Sequence, residues 1–278
     1  MFILLRTVDS YGGFLKRKHL KKRIRNSLPV SVSTENGMPF YMIDVINDKN
    51  GPDYSAIEEK CGRYASRIVA PRNFPLPDKP NLKRFLPGYS NGIFLFNTAA
   101  EIIKKANPEP LKTSITVIDR NAVMHNETAR LIPWSSPLRV ITSRPERYME
   151  TCRKIYNEYG ASVLLRSFYE PTSKKDIVIS CDGTTSVSME NAAVFTFKQG
   201  VNGKLRFQGS KISLTEIHKE IIPHNIDTTD FAAAVTELCA STSYKSAIYS
   251  DISISCSKCN KNSPSKCLEC YISGSGPM

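Results

Sequence analysis

What most restricts the fold of this chain is a rhythm in its second half. Short apolar runs, most of them closed by a polar or small residue, are each followed by a connecting segment. Ile115 to Asp119, Leu138 to Thr142, Ser162 to Arg166, Asp176 to Cys181 and Ala192 to Phe197 are the runs. They are too short for buried helices and suit strands covered on both faces. A modest helical segment to about Ile132 follows the first run, and Pro145-Glu146 opens a helix through Tyr159 after the second. Proline suits a first helical turn, where its missing N–H would be unpaired anyway, and Gly160 is a suitable C-terminal stop. Strands alternating with helices in this way build βαβ units and a parallel sheet. A hairpin through Asn202-Gly203 and two further helices, about 214–221 and 228–240, are expected to close the domain.

The first half is more broken. Residues 14–28 read as a basic helix with a thin apolar stripe, Leu20, Ile24 and Leu28, stopped by Pro29. Val30 to Thr34 and Met38 to Ile46 look like two strands joined at Glu35-Asn36-Gly37, since Asn-Gly favours a tight hairpin. Asp53 can cap a helix to about Ser66, and Arg67 to Ala70 resembles a strand. The proline-rich Pro71 to Pro87 reads as an extended loop or crossover, before a helix from about Ile93 to Lys105. The expected division is an N-terminal α/β domain at 1–110 and a parallel-sheet α/β domain at 111–245. A Cys-rich tail at 246–278 completes it.

Hydrophobic residues at 41% and charged residues at 23% are globular values, which excludes wholesale disorder. The start of the chain has no signal-peptide core, and no apolar run approaches the roughly 20 residues of a membrane span. A cytoplasmic protein is therefore expected, and reduced cysteines fit that compartment. Seven cations with no acid lie between Lys16 and Arg25; removing them from the net charge of +12 leaves +5. The basicity is largely one local feature. Such a stretch can contact nucleic acid or a membrane surface, or can be a solvated helix face. Only Phe14 adjoins it, so base stacking has little support.

Ligands of open parallel sheets bind beyond the carboxyl ends of the strands. Here those ends are Asp119-Arg120, Ser143-Arg144 and Cys181-Asp182-Gly183, and Asp119, Arg120, Ser143, Arg144, Asp182 and Gly183 are the candidate cofactor-binding set. Asp119 and Asp182 are also well suited to capping turns. The run Ile141-Thr142-Ser143-Arg144-Pro145-Glu146, a helix, Gly160-Ala161, then Asp176 to Cys181, resembles part of a Rossmann domain. It is similar to the NADP-binding half of the shikimate dehydrogenase and glutamyl-tRNA reductase type over about residues 113–197. The resemblance implies NADP, with Arg144 on the ribose 2′-phosphate, and NADP-linked oxidoreduction as the reaction. Separately, the ligand site is expected in the cleft between the two domains, at Asp119, Arg120, Ser143, Arg144 and Asp182. The chain departs from the family after the first strand, where Asp119-Arg120-Asn121-Ala122-Val123-Met124-His125 has no glycine to admit a pyrophosphate. The alternatives are a small-molecule-binding Rossmann-like scaffold without dinucleotide, a non-catalytic interaction protein with a degenerate pocket, and a nucleic-acid-associated protein using residues 16–25.

Cys256-Ser257-Lys258-Cys259 and Cys267-Leu268-Glu269-Cys270 are two CxxC pairs, which can together form a tetrahedral structural zinc site. The alternatives are iron–sulfur ligation, though common ferredoxin spacing is tighter, and a reduced tail rich in Ser, Gly and Pro. His19, His125, His218 and His224 form no ligand pair, and only His125 falls near the expected sheet edge. Neither a GxSxG elbow nor a Walker loop nor HExxH occurs in the sequence. Cys181 reads as core packing at a strand end.

Overall fold

The computed structural model describes residues 1–9, 19, 24, 29–33, 39–47, 51–77, 81–183, 189–239, 241–256 and 263–274. In chain order the elements begin with β1 (Ile3–Asp9), β2 (Val30–Ser33), β3 (Pro39–Asn47), α1 (Tyr54–Cys61) and β4 (Ile68–Val69). Then come α2 (Ser90–Ala106), β5 (Thr113–Ile118), β6 (Leu138–Ile141), α3 (Met149–Tyr159), β7 (Val163–Arg166), β8 (Lys175–Ser180) and β9 (Ala193–Thr196). The remainder is β10 (Leu205–Ile212), α4 (Glu216–Ile221), α5 (Thr228–Leu238), β11 (Tyr249–Ser255) and α6 (Pro264–Ser273). No helix among the described residues is long and apolar enough to cross a membrane.

The chain forms two units. One is Met1–Gly88 with Ser213–Lys245, and the other is Tyr89–Ile212 with Ser246–Met278. This differs from contiguous boundaries near 110 and 245. Helix α2 falls in the second unit because it is apolar on most of its surface, with Phe94, Leu95, Phe96, Ala99 and Ile103 all buried.

In the first unit the sheet order is β2-β3-β1-β4, with β1 parallel to both β3 and β4 and β2 antiparallel to β3. The opening apolar run is the central strand, which is why Phe2, Ile3, Leu4 and Leu5 are all closed off from solvent. One face packs Ile3, Leu5, Ile43, Ile57 and Ile68. On the other, Phe2 stacks on Phe40 at 5.0 Å and both meet Phe231 of α5 edge-on. Asp53 caps α1 by accepting from the Ala56 N–H at 3.1 Å, as its position suggests. The two strands expected around Glu35-Asn36-Gly37 are present, but the connection itself lies outside the described residues.

The second unit is a seven-stranded sheet in the order β11-β10-β9-β8-β5-β6-β7, parallel except for β11. From β5 onward that is the Rossmann order 3-2-1-4-5-6 with one antiparallel strand added. The fold is thus α/β and Rossmann-like. Its central strands are buried along their length, as parallel strands covered on both faces require. Gly160 ends α3 with φ of 61° and its N–H on the Tyr156 carbonyl.

Two expectations are corrected. Asn202-Gly203 makes no hairpin: β9 and β10 are parallel, with Leu205 opposite Ala193. The four-residue β9 is short enough for eight residues to return the chain to its start. Gly203 serves close packing, because a Cβ there would lie 2.7 Å from Val194 Cγ2. The segment expected to be a tail is an integral part of the second unit. β11 pairs with β10, and α6 buries Cys267 and Leu268, while the Tyr271 hydroxyl donates to the carbonyls of Asp176 and Asn191.

Candidate functional site

In this strand order the crossovers leave β5 and β8 in opposite directions, so a crevice opens between the carboxyl ends of these neighbours. The backbone holds the strand ends level. Asp119 N donates to the Ile141 carbonyl at 2.9 Å, Ser143 N to that of Arg120 at 3.1 Å, and Cys181 N to that of Ile118 at 3.0 Å. Thr142 N reaches the Arg166 carbonyl at the end of β7 at 2.9 Å. Asp119, Arg120, Ser143, Arg144, Asp182 and Gly183 therefore all lie at one edge of one sheet.

The turn after β5 is built around Asp119, whose side chain is buried. Its carboxylate accepts from the N–H of Val123 at 2.9 Å and of Met124 at 2.7 Å. It also accepts from the hydroxyl of Tyr148 at 2.7 Å. Tyr148 is fully buried, and burial together with the Asp119 charge pushes its hydroxyl pKa far up, so it stays a donor. Ala122 closes the turn with φ of 55°, a left-handed conformation that glycine adopts more readily. His125 Nδ1 lies 3.0 Å from the Ala122 carbonyl, and its ring meets Tyr148 edge-on. No α-helix follows. A 3-10 turn, Thr128–Trp134, stands where a dinucleotide domain has the helix whose N-terminus receives the pyrophosphate, and Pro133 lies within it.

Across the crevice the Arg120 guanidinium lies 3.6 Å from the Asp182 carboxylate, with 47% and 15% of the two side chains exposed. Ser143 and Arg144 are exposed, and no ion pair engages Arg144 among the described residues. Its N–H donates to Thr142 Oγ1 at 3.1 Å, which fixes the backbone but leaves the guanidinium to solvent. Gly183 has φ of 66° and lies beneath the Lys198 side chain, which a Cβ would approach to 2.7 Å. The edge thus gains Arg166 and Lys198 as further cations: Arg166 ends a run read only as a strand, and Lys198 directly follows another, Ala192 to Phe197. Cys181 is buried, and burial with the charges of Asp119 and Asp182 pushes its thiol well up.

One further contributor was hidden in Tyr89-Ser90-Asn91-Gly92. The first turn of α2 abuts the end of β8 so closely that a Cβ on Gly92 would lie 2.3 Å from the Cys181 carbonyl oxygen. Beside it, Asn91 Oδ1 is buried without a hydrogen-bond partner among the described residues. The apolar pattern places the start of this helix at about Ile93, so nothing in it marks Gly92 as a point of close approach.

The zinc reading finds no support. Among the described residues no three His, Cys, Asp or Glu side chains gather as they would around a metal. Cys267 and Cys270 lie on helix α6, where Cys267 is packed into the interior, and Cys256 directly follows β11. Cys259 lies outside the described residues. So does almost all of the basic stretch; His19 and Ile24, the two residues of it that are described, are helical.

No family model matches the chain, and no curated protein is similar to it in sequence. Among solved structures it is similar to L-tryptophan dehydrogenase from Nostoc punctiforme, at 12% identity and a TM-score of 0.33, over 88% of this chain and 76% of that one.

Proposed function

We propose that this chain binds a small anionic molecule at the crevice between the ends of β5 and β8. One observation carries this reading: two guanidinium-bearing residues, Arg120 and Arg144, stand on adjacent strand ends tied together by the bond from Ser143 N to the Arg120 carbonyl. They stand beside the switch point between β5 and β8, where an open α/β sheet places its ligand, with Arg144 one strand away at the end of β6. Arginine suits planar, bidentate capture of carboxylate or phosphate. Lys198 and Arg166 add to a positive field at the same edge, while Asp182 orients Arg120. Ser143 adds a hydroxyl to the same strand end.

The narrower likeness to shikimate dehydrogenase and glutamyl-tRNA reductase rests on Arg144, and the turn after β5 departs from it. NADP-linked oxidoreduction is the reaction class such a likeness would supply, and the Asp119 turn does not fit that cofactor's pyrophosphate. The test is thermal unfolding of the full chain in rising inorganic phosphate or adenosine 2′-monophosphate at constant ionic strength. A saturable rise in Tm, lost in Arg144→Ala, is expected. A rise equal in the variant would mean that the anion acts elsewhere, and no rise with either probe would end the reading.

A further inference from the structure

We infer that the ligand of this edge is a compact phosphate monoester and not a dinucleotide, because the Asp119 carboxylate fills the place a pyrophosphate takes in a nucleotide-binding Rossmann turn. The inference rests on the small-anion reading above and narrows its ligand.

In a dinucleotide domain the pyrophosphate is received by backbone N–H groups where the first strand turns into its helix, at the positive end of the helix dipole. Here the N–H groups of Val123 and Met124 are already directed onto Asp119 at 2.9 and 2.7 Å. Both bonds are charge-assisted, the stronger kind. The carboxylate is also held by the Tyr148 hydroxyl, which is closed off from water. Withdrawing it would strand that hydroxyl and two amides at once, each left without its hydrogen-bond partner.

Three further considerations act in the same direction. The 3-10 turn at Thr128–Trp134 supplies no long dipole to offset a second negative charge. A phosphate brought to the same amides would face Asp119 at contact distance, where two like charges repel. The methyl group of Ala122, itself buried, further fills the turn that glycine would leave open. What remains receptive is the β6 side of the edge, Ser143 and Arg144 with Arg120 beside them, which matches one phosphoryl group and not three.

The experiment compares three probes on the full chain by calorimetry: adenosine 2′-monophosphate, NADPH and NADH. NADPH binding no more tightly than adenosine 2′-monophosphate, with NADH not bound and Arg144→Ala weakening both 2′-phosphate-bearing probes at least tenfold, is the expected result. NADPH binding tenfold or more tightly than the monophosphate would overturn the inference while leaving the small-anion reading intact. Equal binding of NADH and NADPH would overturn it too, since the 2′-phosphate would then play no part. Failure of all three, together with inorganic phosphate, would remove the reading itself.

Discussion

At Gly92 the absence of a side chain is a packing requirement, not a conformational one. Its missing Cβ would overlap a backbone oxygen of β8, and backbone cannot rotate aside as the tip of a flexible side chain can. Gly92→Ala is therefore expected to lower stability by at least about 2 kcal/mol, in the range of overpacked cores, and urea unfolding measures it. A variant as stable as the parent would mean that α2 and β8 are not in register as described. A second residue-scale prediction concerns Asp176, near the opposite end of β8. Its carboxylate accepts from Arg139 Nη2 at 3.0 Å, from the Tyr169 hydroxyl at 2.9 Å, and from both the N–H and hydroxyl of Thr172. With Arg139 and Asp176 both buried, Asp176→Ala leaves a guanidinium without its counter-charge and is expected to cost about 3–5 kcal/mol. Replacing both partners with apolar residues of similar size should recover most of that loss, because the uncompensated charge goes with them.

Elements differ in how openly the sequence declares them, and the difference follows from what each signal measures. The strands β5, β6, β8 and β9 are legible because burial on both faces demands unbroken apolar runs such as Ile177-Val178-Ile179. Helix α3 is legible through Gly160, whose left-handed φ closes it. β10 is misread because Asn202-Gly203 has the composition of a hairpin, while the glycine is needed for contact with Val194. The carboxyl-terminal segment is misread because its cysteines suggested a metal, when in α6 Cys267 and Leu268 are apolar contacts. That correction is testable. Leu268 is completely buried, so Leu268→Ala is expected to cost about 2–5 kcal/mol in chemical unfolding. A loose tail would give no change, and added chelator should leave the parent protein's Tm where it was.

At the scale of the whole molecule, the sequence could show that polar residues follow the strands but not which of them are spent inside. Asp119 and Arg144 look equivalent on paper; the buried Tyr148 hydroxyl, twenty-nine positions along the chain, commits Asp119 to structure and leaves Arg144 to solvent. The same holds for the first unit, where Asp230 is read from sequence as one more residue in the first turn of a helix. Burial and the neighbouring Asp227 raise its pKa from 3.8 to about 6, with Arg72 and Arg84 opposing only in part. Because the folded state holds this proton more tightly than the unfolded chain does, its contribution favours folding in acid. That advantage is lost as pH rises from about 4 to 6 and stays lost above, and such a shift is worth up to about 3 kcal/mol. Other carboxylates titrate over the same interval, so the informative quantity is the stability difference between the parent and Asp230→Asn as a function of pH. Asparagine cannot ionise, and the variant should gain on the parent between pH 4 and pH 7. A difference that is flat across that interval would mean that Asp230 ionises as readily folded as unfolded, and that Arg72 and Arg84 fully offset its burial.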